Sequence, residues 1–329
     1  MQSVLITGAN GFIGGHLAEE AKQHNLKVLA GVRQGSNVGS LKDLNIEVVY
    51  LNYEDQDQLT AVLKQYKPDY IIHNAGLTRS PSYAQYLKVN RDYLINIVEA
   101  IRKSGIPLKK LLFVSSLAAF GPADFQPDHI VRENSMPHPV TQYGKSKLEA
   151  ENWLKNQSDI PYNIVRPTAV YGPGEKDLLN VFQMVSKGIN ATAGSGQQQL
   201  TLIYVKDLVR LMMLATLTTH THRAYFGTDG RVYGSGDFPQ AIAHSLNKKI
   251  LSIALPVFIV KIGAWISEGI GKITGKYPTL YVERVNEIKA RNWQCDTDNL
   301  EKDLQFKPAY TMQQAVDETT SWYKQNKWI

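Results

Sequence analysis

Tyr143 and Lys147 stand one helical turn apart in Tyr143-Gly144-Lys145-Ser146-Lys147, inside a proline-free run to Lys155 that reads as a helix. Residues at that spacing share a helix face. A free phenol titrates at about 10, too high for an efficient proton carrier near neutrality. A lysine cation nearby favours the phenolate and draws that value toward working pH. The pair therefore has the make-up of an acid–base device. Alone it is a short pattern, which a surface tyrosine and lysine would also produce.

A second pattern lies upstream. Gly8, Gly11 and Gly14 form Gly-x-x-Gly-x-x-Gly within Thr7-Gly8-Ala9-Asn10-Gly11-Phe12-Ile13-Gly14. It follows an apolar run at Ser3–Thr7 and opens a helical one, the context such a motif requires. Glycine permits a tight turn and close approach of backbone to a pyrophosphate. The helix N-terminus adds free N–H groups and the positive end of its dipole. Arg33 ends the next expected strand, and no Asp or Glu occurs between Lys27 and Lys42. An acid there would bond the ribose hydroxyls of NAD, whereas an arginine suits a 2′-phosphate. The expected cofactor is NADP(H), with NAD(H) as the alternative. Asn52, after the third strand, is either an adenine contact or a turn residue.

The elements that must position these groups follow an alternating rhythm. Strands are expected at Ser3–Thr7, Lys27–Arg33, Ile46–Leu51, Tyr70–Asn74, Lys110–Ser115 and Tyr162–Arg166. Helices are expected at Gly14–His24, Gln56–Gln65, Tyr83–Ser104 and Gln142–Asn156. Such alternation predicts an α/β fold, a Rossmann doubly wound parallel sheet. After Arg166-Pro167 the rhythm loosens into a turn-rich loop, a helix at Leu178–Ser186 and a glycine-containing loop at Gly194–Gly196. Leu202–Val205 and Ala224–Thr228 are expected to return to the sheet. The expected organisation is a dinucleotide-binding domain over 1–166, rejoined by 200–228. A smaller, mostly helical substrate lobe is assembled from 167–199 and 229–329.

Composition narrows the function. The chain has 329 residues, 43% hydrophobic and 20% charged, which is ordinary for a globular protein. Its single cysteine, Cys295, excludes an internal disulfide framework and a multi-cysteine metal site, and no metal is expected. Together with the lack of a leader-like start, this fits a reducing, cytoplasmic setting. The net charge of +6 suits an anionic cofactor or substrate, and no dense Lys/Arg block indicates nucleic acid. The apolar run Ile250 to Ile262 is broken by Pro256 and carries Lys261. It is too short to span a bilayer. A buried helix start is the expected reading, and a peripheral membrane or greasy-substrate contact by 250–270 the alternative.

Further motifs occur in order between and after the first two. They are His73-Asn74-Ala75-Gly76, Val89-Asn90, Phe113-Val114-Ser115-Ser116-Leu117-Ala118-Ala119-Phe120-Gly121, Arg166-Pro167-Thr168-Ala169-Val170-Tyr171-Gly172, and Trp293-Gln294-Cys295-Asp296. With them, most of the chain resembles the extended short-chain dehydrogenase/reductase family, which includes NAD-dependent epimerases and dehydratases. The resemblance implies that Ser116 bonds the reacting oxygen, with Ser115 as the fallback. Tyr143 would carry the proton, and Lys147 would lower its pKa and hold the nicotinamide ribose. Gly8, Asn10, Gly11, Phe12, Ile13, Gly14, Arg33, Asn52, Ala75 and Pro167 would bind the cofactor with Tyr143 and Lys147. Asn90 would be a helper, and His73 and Cys295 structural. A homodimer through paired helices is common in such enzymes.

Departures from the family pattern bear on the reaction. A dehydratase carries an Asp-Glu pair where Leu117-Ala118 stand here. Nucleotide-sugar epimerases carry a diphosphate-clamping arginine where Leu200 stands, although Arg284 or Arg291 could substitute. What remains resembles the dihydroflavonol-reductase-like and 3β-hydroxysteroid-dehydrogenase-like branch. The expected function is an NAD(P)-dependent oxidoreductase that passes a hydride between nicotinamide and a carbonyl or hydroxyl carbon of a small apolar substrate. A nucleotide-sugar epimerase with tightly bound NAD is the alternative, and a redox-inactive Rossmann sensor a third reading.

Overall fold

The computed structural model describes residues 1–126, 128–194, 197–274 and 277–329. Seven strands form one parallel sheet: β1 (Ser3–Thr7), β2 (Lys27–Val32), β3 (Glu47–Tyr50), β4 (Tyr70–His73), β5 (Lys110–Val114), β6 (Tyr162–Pro167) and Arg223–Gly227. The spatial order is Arg223–Gly227, β6, β5, β4, β1, β2, β3. The chain runs outward from β1 to β3, then returns to β4 on the other side of β1. Between β1 and β4 lies the switch point at whose carboxyl ends such sheets bind ligands.

Alternation along the strands feeds two cores. Val4 and Ile6 pack on one face with Leu17 of α1 (Phe12–Gln23). Leu5 packs on the other with Leu59 of α2 (Gln56–Tyr66), Ile97 of α3 (Tyr93–Ser104) and Leu154 of α4 (Gln142–Lys155). Every residue of β1 and β5 is buried, as a parallel strand covered on both faces requires.

The expected single helix over Tyr83–Ser104 is interrupted. A π-turn at Lys88–Asp92 separates Tyr83–Leu87 from α3 and turns Asn90 fully inward. Such turns often mark functional sites.

Leu202–Tyr204 does not return to the main sheet. It pairs in parallel with Ala169–Tyr171, while Ile189–Ala193 pairs with Leu251–Leu255. The sheet of Ala169–Tyr171 and Leu202–Tyr204, with helices at Leu179–Ser186, Asp237–Ser245 and Met312–Gln325, surrounds an aromatic core that includes Phe182, Tyr204, Phe238 and Tyr323, and two further helices, α5 (Val257–Thr274) and α6 (Arg284–Lys289), lie between the last two of these in the chain. In the expected loop Gly194–Gly196, Gly194 has a positive φ of 72°, and residues 195 and 196 lie outside the described residues. The run Ile250–Ile262 is not a buried helix start. It is a two-stranded edge followed, at Pro256, by a helix whose apolar side chains are largely exposed. Among the described residues, no helix is long and apolar enough to cross a membrane.

Candidate active site

Ser116, Tyr143 and Lys147 meet in one cleft of about 280 Å³ at the carboxyl edge of the sheet, walled also by Phe12, Ile13 and Pro167. β5 delivers the serines and α4 delivers the Tyr–Lys pair. Thr141 caps α4, its hydroxyl accepting the Gly144 N–H at 3.2 Å, so the helix starts just before Tyr143. Two carboxylates of α6 and its approach bear on the same end. Glu283 accepts the Gln142 N–H at 2.7 Å, and Glu287 accepts the Thr141 hydroxyl at 3.1 Å. Acids at a helix N-terminus suit its dipole.

The two serines differ in surroundings. Ser115 is buried and donates to Glu151 at 2.5 Å. Ser116 lines the cleft with Tyr143, its Oγ accepting the Ala118 N–H at 3.2 Å. The fallback serine is therefore committed to the interior.

The surroundings of Tyr143 push its phenol up, where the sequence led one to expect lowering. Burial pushes the phenol up, the Ser116 hydroxyl opposes this, and the charges of Glu287 and Asp177 add to the rise. Lys147 does not counter it. Its Nζ donates to the Val114 carbonyl at 2.8 Å and lies 5.0 Å from the Phe113 ring centroid. Burial lowers its own pKa to about 8, against the pull of Glu151. The helix spacing puts both groups on one face, but hydrophobic surroundings favour the neutral form of each.

Asn90 holds the neighbouring loop. Its Oδ1 accepts the Leu77 N–H at 2.8 Å, and its Nδ2 donates to Leu77 O at 3.0 Å and Ser146 Oγ at 2.9 Å. Gly76 passes so close that a Cβ there would lie 3.2 Å from Lys147 Nζ. His73 is buried and pushed down to about 3, hence neutral, with Nδ1 2.9 Å from Thr7 Oγ1. Cys295 is a thiol pushed up to about 12 by burial and lies near Thr201 and Asp296, away from the cleft. Among the described residues no group of His, Cys, Asp or Glu could hold a metal ion.

The glycine loop fits a dinucleotide. Gly8 has φ +65°, and a Cβ on it would lie 2.9 Å from Ala75 Cα, whose N–H donates to Thr7 Oγ1 at 3.0 Å. A Cβ on Gly14 would lie 2.2 Å from Gly8 O, so helix and turn touch through bare backbone. Gly11, the N-cap of α1, supplies no side-chain hydrogen bond to the helix. The first N–H groups of α1 are thus available to a pyrophosphate. Asn10 and Gly11 are exposed on this loop. Arg33 is exposed just beyond β2, and its charge reaches the buried Tyr53 phenol, which also borders Thr7 and Gly8. Asn52 is a turn residue: its Oδ1 accepts the Glu54 N–H at 3.2 Å at the entry to α2.

Several cleft residues had escaped the sequence reading. Glu175, Asp177 and Thr78 line it, and Asp177 bridges Arg79 at 3.1 Å and Arg284 at 4.0 Å. They lie on irregular segments with no spacing to reveal them. Of the two arginines expected as substitute clamps, Arg284 lines the cleft. Arg291 instead stacks on Phe125 at 3.6 Å and bonds Gln197.

Sheet order, glycine turn and cleft together define a Rossmann-type nucleotide-binding enzyme fold. Residues 4–225 match the NAD dependent epimerase/dehydratase family, and the chain belongs to that family. It is 27% identical over 328 residues to N-acetyl-alpha-D-glucosaminyl-diphospho-ditrans,octacis-undecaprenol 4-epimerase of Escherichia coli O157:H7, covering 96% of this chain and 94% of that protein. Ceramide reductase of Caulobacter vibrioides is 24% identical over 329 residues, covering 99% and 96%. Among solved structures, UDP-glucose 4-epimerase of Thermus thermophilus in complex with NAD has a TM-score of 0.77 at 18% identity, covering 98% and 99%.

Proposed function

We propose that the chain transfers a hydride between a nicotinamide dinucleotide and a carbonyl or hydroxyl carbon, with Tyr143 as the acid–base group. The observation that carries this reading is the meeting of Ser116, Tyr143 and Lys147 in one cleft beside the glycine turn. The nicotinamide ring supplies the hydride acceptor or donor when bound. Gly8, Asn10, Gly11, Phe12, Ile13 and Gly14 would hold the pyrophosphate end, Arg33 the adenosine end, and Ala75, Pro167 and Lys147 the nicotinamide end. Ser116 Oγ would orient the reacting oxygen. Tyr143 would give its phenolic proton to that oxygen on reduction and take it back on oxidation.

Two forms of this chemistry fit the site. The family name and the epimerase relatives favour transient oxidation and return of the hydride to a sugar carbon, with NAD held throughout. Leu200 and Arg33 favour net reduction with exchangeable NADPH. Leu200 stands where a diphosphate-clamping arginine is expected, and its backbone pairs with Tyr233. The substrates named for the Escherichia coli and Caulobacter relatives, an undecaprenol diphosphate and a ceramide, both carry long hydrocarbon chains. They support a substrate with an apolar portion. A cavity of about 850 Å³ bordered by Gln142, next to Tyr143, offers room for one.

The test is mass spectrometry of nucleotide released by denaturing the purified protein. Stoichiometric NAD supports the epimerase form and removes Arg33 as a 2′-phosphate contact. An empty protein that binds NADPH over NADH supports the reductase form. Failure to bind either nucleotide overturns both.

A further inference from the structure

Helix α5 is inside out. Its inward stripe is Val257, Lys261, Ala264, Glu268 and Gly271. Ala264 is fully buried and the other four line the 850 Å³ cavity beside Gln142. Glu268 also accepts the Val282 N–H at 2.9 Å. Its outward stripe is Phe258, Ile262, Trp265, Ile266, Ile270 and Ile273, with Trp265 72% and Ile273 88% exposed. These recur at the three- and four-residue steps of one helix face. A helix on a water-facing surface normally has the opposite polarity. A contiguous exposed patch of this kind marks an interaction surface.

Charge identifies the occupant. Between Asp237 and Glu268 the chain carries no acidic residue, but it carries Lys248, Lys249 and Lys261. Lys248 and Lys249 are exposed and lead into Leu251–Leu255, whose Leu251 and Ile253 are exposed beside Ile189 of the paired strand. Lys187 is exposed just before that strand. The strand that leads into α5 thus adds exposed apolar side chains of its own, with lysines at its start and at the start of its paired strand. An apolar face that is bare, carries an exposed tryptophan and follows a lysine-bearing, acid-free stretch fits acyl chains below and anionic headgroups around.

We propose that this face seats on an anionic lipid bilayer, with α5 lying in the plane of the interface rather than crossing it. Phe258, Ile262, Trp265, Ile266, Ile270 and Ile273 enter the acyl boundary, and Lys187, Lys248 and Lys249 meet headgroup phosphates. The cavity beside Gln142 then lies directly behind the seated helix. The proposal concerns a surface outside the catalytic set and stands whichever form of hydride transfer the enzyme performs.

Flotation of the full-length protein with phosphatidylcholine vesicles, with and without phosphatidylglycerol, tests it. The protein is expected to float with the anionic vesicles and to detach as salt rises. Lys248→Ala and Lys249→Ala should each weaken binding about five-fold. Ile262→Glu with Ile266→Glu should abolish it while leaving the melting temperature unchanged. Tyr143→Phe should float as the parent does, which separates this proposal from the catalytic one. Absence of flotation with either vesicle, or undiminished flotation of the double variant, overturns the proposal. So does a solution dimer that the double variant dissociates, which would assign the face to a second copy of the chain.

Discussion

Glu151 takes the Ser115 hydroxyl at 2.5 Å and the Arg166 guanidinium at 2.9 and 2.7 Å, with both charged side chains fully buried. Burial works against the Glu151 charge, but Arg166 and its hydrogen bonds outweigh it and hold the carboxyl below its usual range. The network ties α4, which carries Tyr143 and Lys147, to β5 and β6. It also separates the work of two adjacent serines: Ser115 anchors and Ser116 faces the cleft.

Ser116→Ala is therefore expected to lower kcat by about 10²–10³, the usual cost of losing one donor to a reacting oxygen. Ser115→Ala should leave kcat within a few-fold and lower stability by about 1–3 kcal/mol, since it strips a buried carboxylate of one partner. Glu151→Ala should cost more, about 3–5 kcal/mol, because it strands a buried guanidinium. Denaturant unfolding and steady-state kinetics on the three variants check this. A larger kcat loss in Ser115→Ala than in Ser116→Ala would reverse the roles.

Tyr143→Phe should cut turnover by about 10²–10⁴, the usual contribution of a positioned proton carrier. Nucleotide affinity, read by isothermal titration, should stay near that of the parent, because the phenol touches the reacting oxygen rather than the pyrophosphate. Turnover that survives this change removes Tyr143 from the mechanism.

Much of this site was legible before the fold was known, and for a physical reason. Runs such as Leu111–Val114 are apolar because a central parallel strand is covered on both faces, and the glycines at 8 and 14 are required by contacts under 3 Å. What escaped was whatever local pattern does not encode. The strand Leu202–Tyr204 has only three residues, too few to say which partner it takes. The spacing of Tyr143 and Lys147 fixes a shared helix face but not where a long ammonium arm ends, and Nζ went to Val114 O. The apolar period of α5 is plain in the sequence. Periodicity says which residues share a face, not whether anything covers it.

Lys147 makes stability depend on pH with a definite sign. Burial lowers its pKa to about 8 in the folded protein, and an unfolded lysine titrates at about 10.4. Between those values the unfolded chain binds more protons, so stability rises with pH there. The contribution is present above the unfolded value and is lost as pH falls through about 8. Lys147→Met removes the group, so the stability of the variant relative to the parent should shrink by roughly 3 kcal/mol between about pH 7 and pH 11. Lys110 is also depressed to about 8, but it is common to both proteins and cancels in the difference. Urea titrations of ligand-free protein at both pH values measure it. A difference independent of pH would mean that Lys147 keeps its ordinary pKa.

The charge of Glu287 also bears on the Tyr143 phenol. Its carboxyl pKa is raised by burial, with Arg284 and the Thr141 hydrogen bond opposing, and its charge is one of the groups that raise Tyr143. Glu287→Gln keeps an oxygen to accept from Thr141 and removes the charge. The Tyr143 pKa should fall, so the limb of the pH–kcat profile that reports phenol ionisation in the oxidation direction should move to lower pH. Stability gives a second readout. A carboxyl whose folded pKa is raised contributes stability that is present below its unfolded value, about 4.3, and lost as pH rises through its folded value. Above that range the parent carries a cost that the variant lacks, so Glu287→Gln should melt at a higher temperature near neutral pH and lose the advantage in acid. A pH profile that does not move, with a higher melting temperature, would leave Glu287 a buried acid with no hold on Tyr143. A profile that moves down as stability rises would make it the residue that sets the pH range of the enzyme.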